Sequence, residues 1–205
     1  RKGFLLVDSG ATYMDGTTDI TRTYPLGELT EDEKLFYTWT LQSHIDLAKA
    51  VWLDYCECKM IDTIAREPLW RHLINYRCGT GHSVSFVGNV HEGPHSLRGT
   101  NSVLMRPGMV VTDEPGVYET DLVGIRIENE LVCVHKADNQ YGTFLGFEPL
   151  MFVPIATSPI VPGVLDKDEL AWLNDYHRAV FAKLAPHLND EERSWLAEKC
   201  AAIGC

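Results

Sequence analysis

The sequence lacks the features of several large classes of protein. Acidic residues outnumber basic ones, 29 Asp and Glu against 18 Lys and Arg, for a formal net charge of −11. Because no run or stripe of Lys and Arg is available to neutralise phosphates, we expect no nucleic-acid partner. No apolar stretch approaches the roughly 18 residues that would predict a membrane span, so we also expect no membrane partner. Apolar residues make up 45% of the chain and charged residues 23%, which is typical of a globular domain.

Cysteines are too few to form a disulfide scaffold. The chain has six in 205 residues, and we expect them to be reduced thiols. Cys56 and Cys58 form a C-x-C pair, but no second pair of Cys or His ligands follows at the spacing of a zinc site. We therefore expect this pair to lie in a loop.

The first two thirds of the chain mix strand-like and helix-like segments. Residues 3–7 predict a buried strand, and the turn formers of DSGATYMDGTT before DITRTY predict a hairpin. Thr30 and Glu33 predict a capping box at the start of a helix that runs to about residue 51. A second helix is predicted over residues 60–74, and Pro68 should kink or split it. A short strand over 109–112 and a longer one over 124–135 complete this part.

The character of the sequence changes after Pro159. Asp166 with Glu169, and Asn189 with Glu192, predict the starts of two amphipathic helices. The apolar stripe of the first is expected to pack within the chain rather than against a partner. We therefore predict an α+β fold in two parts, a body over residues 1–158 and a C-terminal helical extension over 159–205.

Five side chains that can bind metal ions stand in strand or turn contexts along the body, namely Asp8, Asp19, His82, Glu114 and Glu128. Asp8 and Asp19 lie on either side of the predicted hairpin, where two carboxylates can converge across paired strands. Carboxylates that close repel each other unless a cation or a shared proton lies between them. Four carboxylates and one imidazole suit two divalent ions, and this oxygen-rich set favours manganese or a similar ion over a thiolate-type zinc site.

Each of these residues also has a purely structural explanation. Asp8 and Asp19 are common turn residues, and Glu114 precedes Pro115 in a turn-like sequence. His82 fits a loop histidine, and Glu128 fits a cross-strand ion partner. Composition and spacing alone therefore leave the metal site open.

Five segments, in this order, resemble successive blocks of the aminopeptidase P family: DSGATYMDGTTDITRTYPLG, GTGHSVSFVGNVHEGP, PGMVVTDEPGVYE, GIRIENELV and FEPLMFVPI. The resemblance runs from Gly3 to about Ile155. That family belongs to the pita-bread metallopeptidases, together with prolidase, creatinase and methionine aminopeptidase. The resemblance implies that residues 1–158 are part of a pita-bread catalytic domain. The forms DGTTDITRT and NVHEGP resemble the eukaryotic cytosolic type, which implies a cytoplasmic location.

The resemblance also implies a metal-binding role at each matching position. Asp8 is expected to chelate one of two divalent ions, most simply Mn²⁺. Asp19 and Glu128 are expected to bridge both ions, and His82 with Glu114 to complete the other ion's ligands.

Catalytic and substrate-binding roles follow from the same resemblance. Glu114 is expected to exchange protons with the hydroxide that bridges the ions. His91 is expected to hydrogen-bond the substrate or the tetrahedral intermediate, and Arg126 to lie in the substrate site and orient carboxylates. The implied reaction is hydrolysis of the N-terminal bond of peptides with proline in second position. That bond is a tertiary amide, because the proline nitrogen carries no N–H.

The chain departs from the family pattern at three points. Cys78 stands where the family has a histidine that helps line the substrate site, and Ser83 replaces a glycine. The chain begins at Arg1, so we expect a fragment without the N-terminal part of the fold, from a protein that forms a homodimer. Two alternatives stay open: an impaired pita-bread module that binds proteins, which Cys78 favours, and a prolidase-type dipeptidase.

Overall fold

The computed structural model describes residues 2–204 and shows an α+β fold, as predicted. Its ten strands are β1 (Phe4–Tyr13), β2 (Gly16–Pro25), β3 (Val51–Leu53), β4 (Gly81–Ser83), β5 (Glu92–Leu97), β6 (Val110–Asp113), β7 (Gly116–Glu119), β8 (Val123–Arg126), β9 (Asn129–Asn139) and β10 (Gly142–Pro149). Its α-helices are α1 (Glu31–Ala48), α2 (Cys58–Trp70), α3 (Lys167–Leu184) and α4 (Asp190–Lys199), with a short 3₁₀ helix at Ala185–His187.

Strands β1 and β2 form a long antiparallel hairpin with a tight turn at residues 14–15. The hairpin predicted from the turn formers of DSGATYMDGTT is confirmed, and its two strands extend through those residues. Strand pairing continues through them because Gly10 stands directly opposite Asp19. A side chain at residue 10 would lie only 2.5 Å from the Thr18 carbonyl oxygen, so only glycine permits this close pairing.

Six strands form a second, entirely antiparallel sheet in the order β3-β10-β9-β6-β4-β5. The short strand β4 carries His82, and β6 ends one residue before Glu114. The adjacent strands therefore bring these two residues to the same region of the sheet, although 32 positions separate them in the sequence.

The strand predicted over residues 124–135 is two strands, β8 and β9, separated at Ile127 and Glu128. Strand β8 pairs with β7, whereas β9 pairs with β6 and β10. At the break the Glu128 N–H donates to the Thr21 carbonyl at 3.0 Å. The alternation of apolar residues does not show which strand a segment pairs with. The sequence pattern therefore predicted one strand where the structure has two.

Helix α1 begins with the predicted capping box, in which Thr30 and Glu33 satisfy each other's backbone N–H groups. Helix α2 starts at Cys58, so only Cys56 of the C-x-C pair lies in a loop. Pro68 lies in the last turn of α2 and does not split it, and the helix ends at Trp70 rather than at residue 74. Beyond it the Ile74 N–H donates to the Leu69 carbonyl and closes the helix end.

The C-terminal helices share a core with the body. Both predicted capping boxes, at Asp166 and Asn189, are present. Leu173 and Tyr176 of α3 are buried in the same cluster as Tyr37 and Leu41 of α1. The apolar stripe of α3 thus packs within the chain, as expected. The division at residue 158 stays a prediction.

Among residues 2–204, no helix is both long and apolar enough to cross a membrane. The five cysteines of this range are free thiols. Cys205, which we also expected to be reduced, lies outside the described residues.

Candidate metal centre

The β1–β2 hairpin places two of the predicted ligands on one face. Asp8 stands opposite Thr21, and Asp19 stands opposite Gly10, so the two aspartates are diagonal neighbours across the strand pair. Asp19 is buried, whereas the side chain of Asp8 is 53% exposed. The hairpin thus offers one carboxylate inside the centre and one at its rim.

The six-stranded sheet supplies His82 and Glu114. Its backbones approach so closely that a side chain at Gly81 would lie 1.8 Å from the Thr112 carbonyl oxygen. The His82 ring has Nδ1 3.1 Å from the Ser83 carbonyl oxygen, which leaves Nε2 directed at the centre. That nitrogen lies 3.5 Å from Asp19 Oδ2 and 3.5 Å from Glu114 Oε1.

Glu128 occupies the break between β8 and β9 and is almost completely buried. Its Oε2 accepts a hydrogen bond from Thr21 Oγ1 at 2.5 Å. Ligand atoms of Asp19, His82 and Glu128 all lie within 4.8 Å of one another. Among residues 2–204, this is the only group of three or more His, Cys, Asp or Glu side chains whose ligand atoms lie this close together.

Arg126 connects the outer carboxylates to this group. Its guanidinium donates to Asp8 Oδ2 and lies 3.8 Å from both Glu114 Oε2 and Glu128 Oε2. It also donates to the Tyr118 hydroxyl at 2.6 Å. One cation thus faces three carboxylates, with Asp8 turned toward Arg126.

The electrostatics of the centre favour an added cation. Burial, and then the charge of Glu114, raise the pKa of Glu128 to about 8. Burial also raises the pKa of Glu114, despite the nearby His82 and Arg126. Burial opposes protonation of His82, but the hydrogen bond to Asp19 and the charge of Glu114 outweigh it and raise the pKa of His82. Carboxylates held close together in a buried site repel each other and therefore keep protons. A divalent ion would displace those protons and neutralise the negative charge, so the donor set fits such an ion.

A cavity of about 570 Å³ opens beside the centre and is lined by Cys78, His82, His91 and Glu114, among others. The rings of His91 and His82 meet edge to face, with centroids 3.9 Å apart. The Cys78 thiol donates to the Gly116 carbonyl. Burial, and then the charge of Glu114, raise the pKa of Cys78, so the thiol is neutral near pH 7 in this state. His91 and Cys78 therefore face the same space as His82 and Glu114, two of the predicted metal ligands.

Sequence reasoning missed two threonines and left one tyrosine aside. Thr21 donates to Glu128, and Thr112 donates to Glu114 Oε1 at 3.2 Å and accepts from the His82 N–H at 3.0 Å. Both lie two residues from a predicted ligand, and the period of two along a strand puts them on the same face. That spacing was the available signal. Tyr118, whose hydroxyl contacts Arg126, had no such signal.

Residues 1–135 match metallopeptidase family M24, and residues 143–203 match the C-terminal region of peptidase M24. The chain therefore belongs to metallopeptidase family M24.

The resemblance to aminopeptidase P is confirmed by relatives of that name. The chain is 42% identical to "Aminopeptidase P1" of Lotus japonicus and 45% identical to "Aminopeptidase P2" of Arabidopsis thaliana, over 97% and 96% of its length. It covers 31% and 28% of those proteins. The chain thus spans about a third of the length of the relatives it matches.

Solved structures confirm the pita-bread fold. An X-prolyl aminopeptidase from Caenorhabditis elegans, described as a cytosolic enzyme with a di-nuclear active site, superposes with a TM-score of 0.91 at 39% identity. The match covers 98% of this chain and 33% of that one. A prolidase from Pyrococcus furiosus superposes with a TM-score of 0.62 at 28% identity, over 72% of this chain and 40% of that one.

Proposed function

We propose that this chain is the metal-binding part of a hydrolase that releases the N-terminal residue from peptides with proline in second position. The observation that carries the proposal is the convergence of Asp19, His82 and Glu128 within 4.8 Å in a chain of family M24. The relatives named aminopeptidase P and the X-prolyl aminopeptidase structure support the specificity for proline.

Five residues would hold two divalent ions, most simply Mn²⁺: Asp8, Asp19, His82, Glu114 and Glu128. Oxygen-rich ligand sets of this kind suit manganese. When bound, the ions polarise a carbonyl and supply a nucleophile at neutral pH. Asp8 now contacts Arg126, so it would turn from that guanidinium toward an ion on loading.

The remaining chemistry belongs to side chains at the centre. Glu114 sits in the cavity with a raised pKa, which suits a carboxylate that accepts and returns a proton during hydrolysis. His91 lies in the same cavity and would hydrogen-bond the substrate carbonyl. Arg126 would hold the carboxylates in place through the fork of its guanidinium.

Cys78 bears on how active the enzyme is. A neutral thiol cannot replace an imidazole as a proton-bearing group near pH 7. The rival function is a pita-bread module that binds proteins without catalysis. The presence of all five donors favours an enzyme, because a module freed from catalysis has no need of a four-carboxylate centre that costs stability to bury.

The test uses the full-length protein loaded with manganese. We expect close to two ions per chain and hydrolysis of an Arg-Pro-Pro peptide. Asp19→Ala and Glu128→Ala should each abolish turnover, while Asp138→Ala, which removes an exposed carboxylate on β9, should leave it unchanged. Less than one ion per chain would overturn the proposed metal centre, and turnover by either variant would overturn the bridging assignments.

A second experiment addresses Cys78 directly. Cys78→His should raise kcat on the same peptide without changing the number of bound ions, because the residue lines the cavity rather than the group of ligands. If full metal content accompanies no hydrolysis in either form, the protein-binding module becomes the better description. We also propose a cytoplasmic location and a homodimer for the full-length protein, which fractionation and sedimentation would test.

A further inference from the structure

Arg66, on helix α2, is bound on three sides. Its Nε donates to Asp62 Oδ2 at 2.8 Å, one turn earlier on the same helix. Its two terminal nitrogens donate at 2.9 Å to the main-chain carbonyls of Tyr76 and Cys78. The guanidinium also lies over the Tyr76 ring, 4.2 Å from its centroid. The arginine thus binds both the backbone and a side chain of the segment that carries Cys78.

Asp62 binds the same segment from its other oxygen. It is buried, and its Oδ1 accepts a hydrogen bond from the Thr80 hydroxyl. That hydroxyl lies 2.5 Å from the Tyr76 hydroxyl. The Asp62–Arg66 pair therefore makes contacts at residues 76, 78 and 80, along the whole approach to His82.

The contacts continue into the candidate metal centre. The Thr80 carbonyl accepts the Glu114 N–H at 2.7 Å, and the Thr80 N–H donates to the Leu97 carbonyl at 2.8 Å. Thr80 also precedes His82 by two residues on the same segment. Displacement of Thr80 would therefore move the backbone of Glu114 directly.

We propose that the Asp62–Arg66 pair is a positioning device that sets residue 78 and Glu114 relative to each other across the cavity. Neither residue lines the cavity, so the pair acts on it through its contacts with residues 76, 78 and 80, and through Thr80 on Glu114. The proposal rests on the proposed function for its catalytic readout.

The chemistry of the pair fits positioning better than general stabilisation. A buried ion pair costs desolvation, which well-packed apolar side chains would avoid. What an apolar pair could not do is bind two carbonyls and a hydroxyl in fixed directions. Arginine is specifically suited to this because its planar fork presents several donors at once, whereas a lysine would be a single point charge.

Helix α2 offers a matched control. Arg71 pairs with Glu67 at 2.7 Å with the same spacing of four residues, but both side chains are exposed. In the full-length, metal-loaded protein we would compare Arg66→Ala and Arg66→Lys with Arg71→Ala. The measurements are kcat and KM on an Arg-Pro-Pro peptide, and hydrogen–deuterium exchange over residues 76–82 and 110–116.

Both Arg66 variants should lower kcat at least tenfold with a smaller change in KM, and speed exchange in those two segments alone. Arg71→Ala should remain within twofold of the parent. If an Arg66 variant does not fold, Asp62→Asn keeps the shape and removes the charge, and should show the same pattern more weakly. Unchanged kcat, or faster exchange spread evenly over the chain, would overturn the proposal.

Failure of the proposed function would give a different result. If the parent protein does not hydrolyse the peptide, hydrogen–deuterium exchange still tests whether the Asp62–Arg66 pair holds residues 76–82 in place. The rate at which iodoacetamide alkylates Cys78 tests the same point. That rate should change more than threefold in Arg66→Ala and not in Arg71→Ala. An equal rate in all three proteins would remove the pair from any positioning role.

Discussion

Arg22 donates from its guanidinium to the main-chain carbonyl of Glu128 at 2.5 Å, behind the candidate metal centre. The arginine is 4% exposed. It also donates to the Val153 carbonyl at 2.7 Å and to the Tyr176 hydroxyl at 2.9 Å. A single side chain of the hairpin thus joins the backbone of Glu128, a predicted metal ligand, to helix α3.

Replacement of Arg22 should therefore weaken both fold and metal binding. Arg22→Met leaves several buried carbonyls without a donor, each at a cost of roughly 1–3 kcal/mol. We expect the free energy of unfolding to fall by about 3 kcal/mol or more and manganese affinity to fall at least tenfold, measured by denaturant titration and calorimetry. Arg178→Met, at an exposed ion pair on α3, should cost under about 0.5 kcal/mol. Similar losses in both variants would contradict this view of Arg22.

Close packing of β4 against β6 gives a second prediction. Gly81→Ala would press a methyl group onto the Thr112 carbonyl, push the strands apart and displace His82. We expect manganese affinity to fall at least tenfold. Gly124→Ala is the control, since its added carbon would meet only Tyr118 at 3.7 Å. Calorimetric titration of both variants with manganese measures the two affinities. Normal binding by Gly81→Ala would show that the sheet can relax without moving His82.

Metal binding should depend on pH through Glu128. Its pKa of about 8 without metal means that an ion entering at pH 7 displaces a proton. Affinity for manganese should therefore rise with pH up to about 8, by up to about tenfold per unit. Calorimetry in two buffers of different ionisation enthalpy measures the released proton directly. No proton release at pH 7 would mean that Glu128 is already ionised.

The same shift affects the stability of the metal-free protein, with the opposite sign. A carboxyl whose pKa is raised on folding contributes stability below its unfolded value, and loses it as pH rises through the folded value. The free energy of unfolding of the metal-free protein should thus decrease as pH rises from about 4.5 to about 8, relative to that of Glu128→Gln. Parallel pH profiles for the two proteins would contradict the raised pKa.

The pKa of His177, on helix α3, is shifted in the other direction. Burial, and then the charge of Arg22, lower its pKa to about 4, and its Nε2 accepts the Ile155 N–H at 3.1 Å. Below pH 6.5 the unfolded chain takes up a proton that the folded chain refuses. Stability should fall by about 3 kcal/mol between pH 6.5 and pH 4.

His177→Gln supplies the control for that loss, because an amide oxygen can accept the same hydrogen bond without titrating. Denaturant titrations at several pH values should show that the difference between the parent and this variant narrows as pH falls. A constant difference would show that His177 protonates freely in the folded protein.

Local patterns predicted much of the fold. All three capping boxes lie where Thr30, Asp166 and Asn189 placed them, because the signal and the structure occupy the same four residues. The break at Glu128 was invisible, since it depends on a hydrogen bond to Thr21, more than a hundred residues earlier. Features that depend on neighbouring residues in the sequence could be predicted, whereas features that depend on distant residues could not.

The candidate site divides in the same way. Motifs indicated the five donors, and the structure groups Asp19, His82 and Glu128 most closely. The contact of Asp8 with Arg126 could not be predicted, because it depends on how the hairpin docks on strand β8. The role of the Asp62–Arg66 pair could not be predicted either, since two of its contacts are to main-chain carbonyls, which carry no residue identity, and the others depend on how the segment folds onto helix α2.

The hairpin forms a two-stranded sheet of its own, beside the six-stranded sheet. Asp19 belongs to the first sheet and His82 to the second, so an ion held between them would tether the two. Some of its binding energy would then oppose separation of the sheets. Removal of the ion by a chelator would therefore loosen the contact between the hairpin and the six-stranded sheet. Faster cleavage by a protease near residues 14–15 would report that loosening.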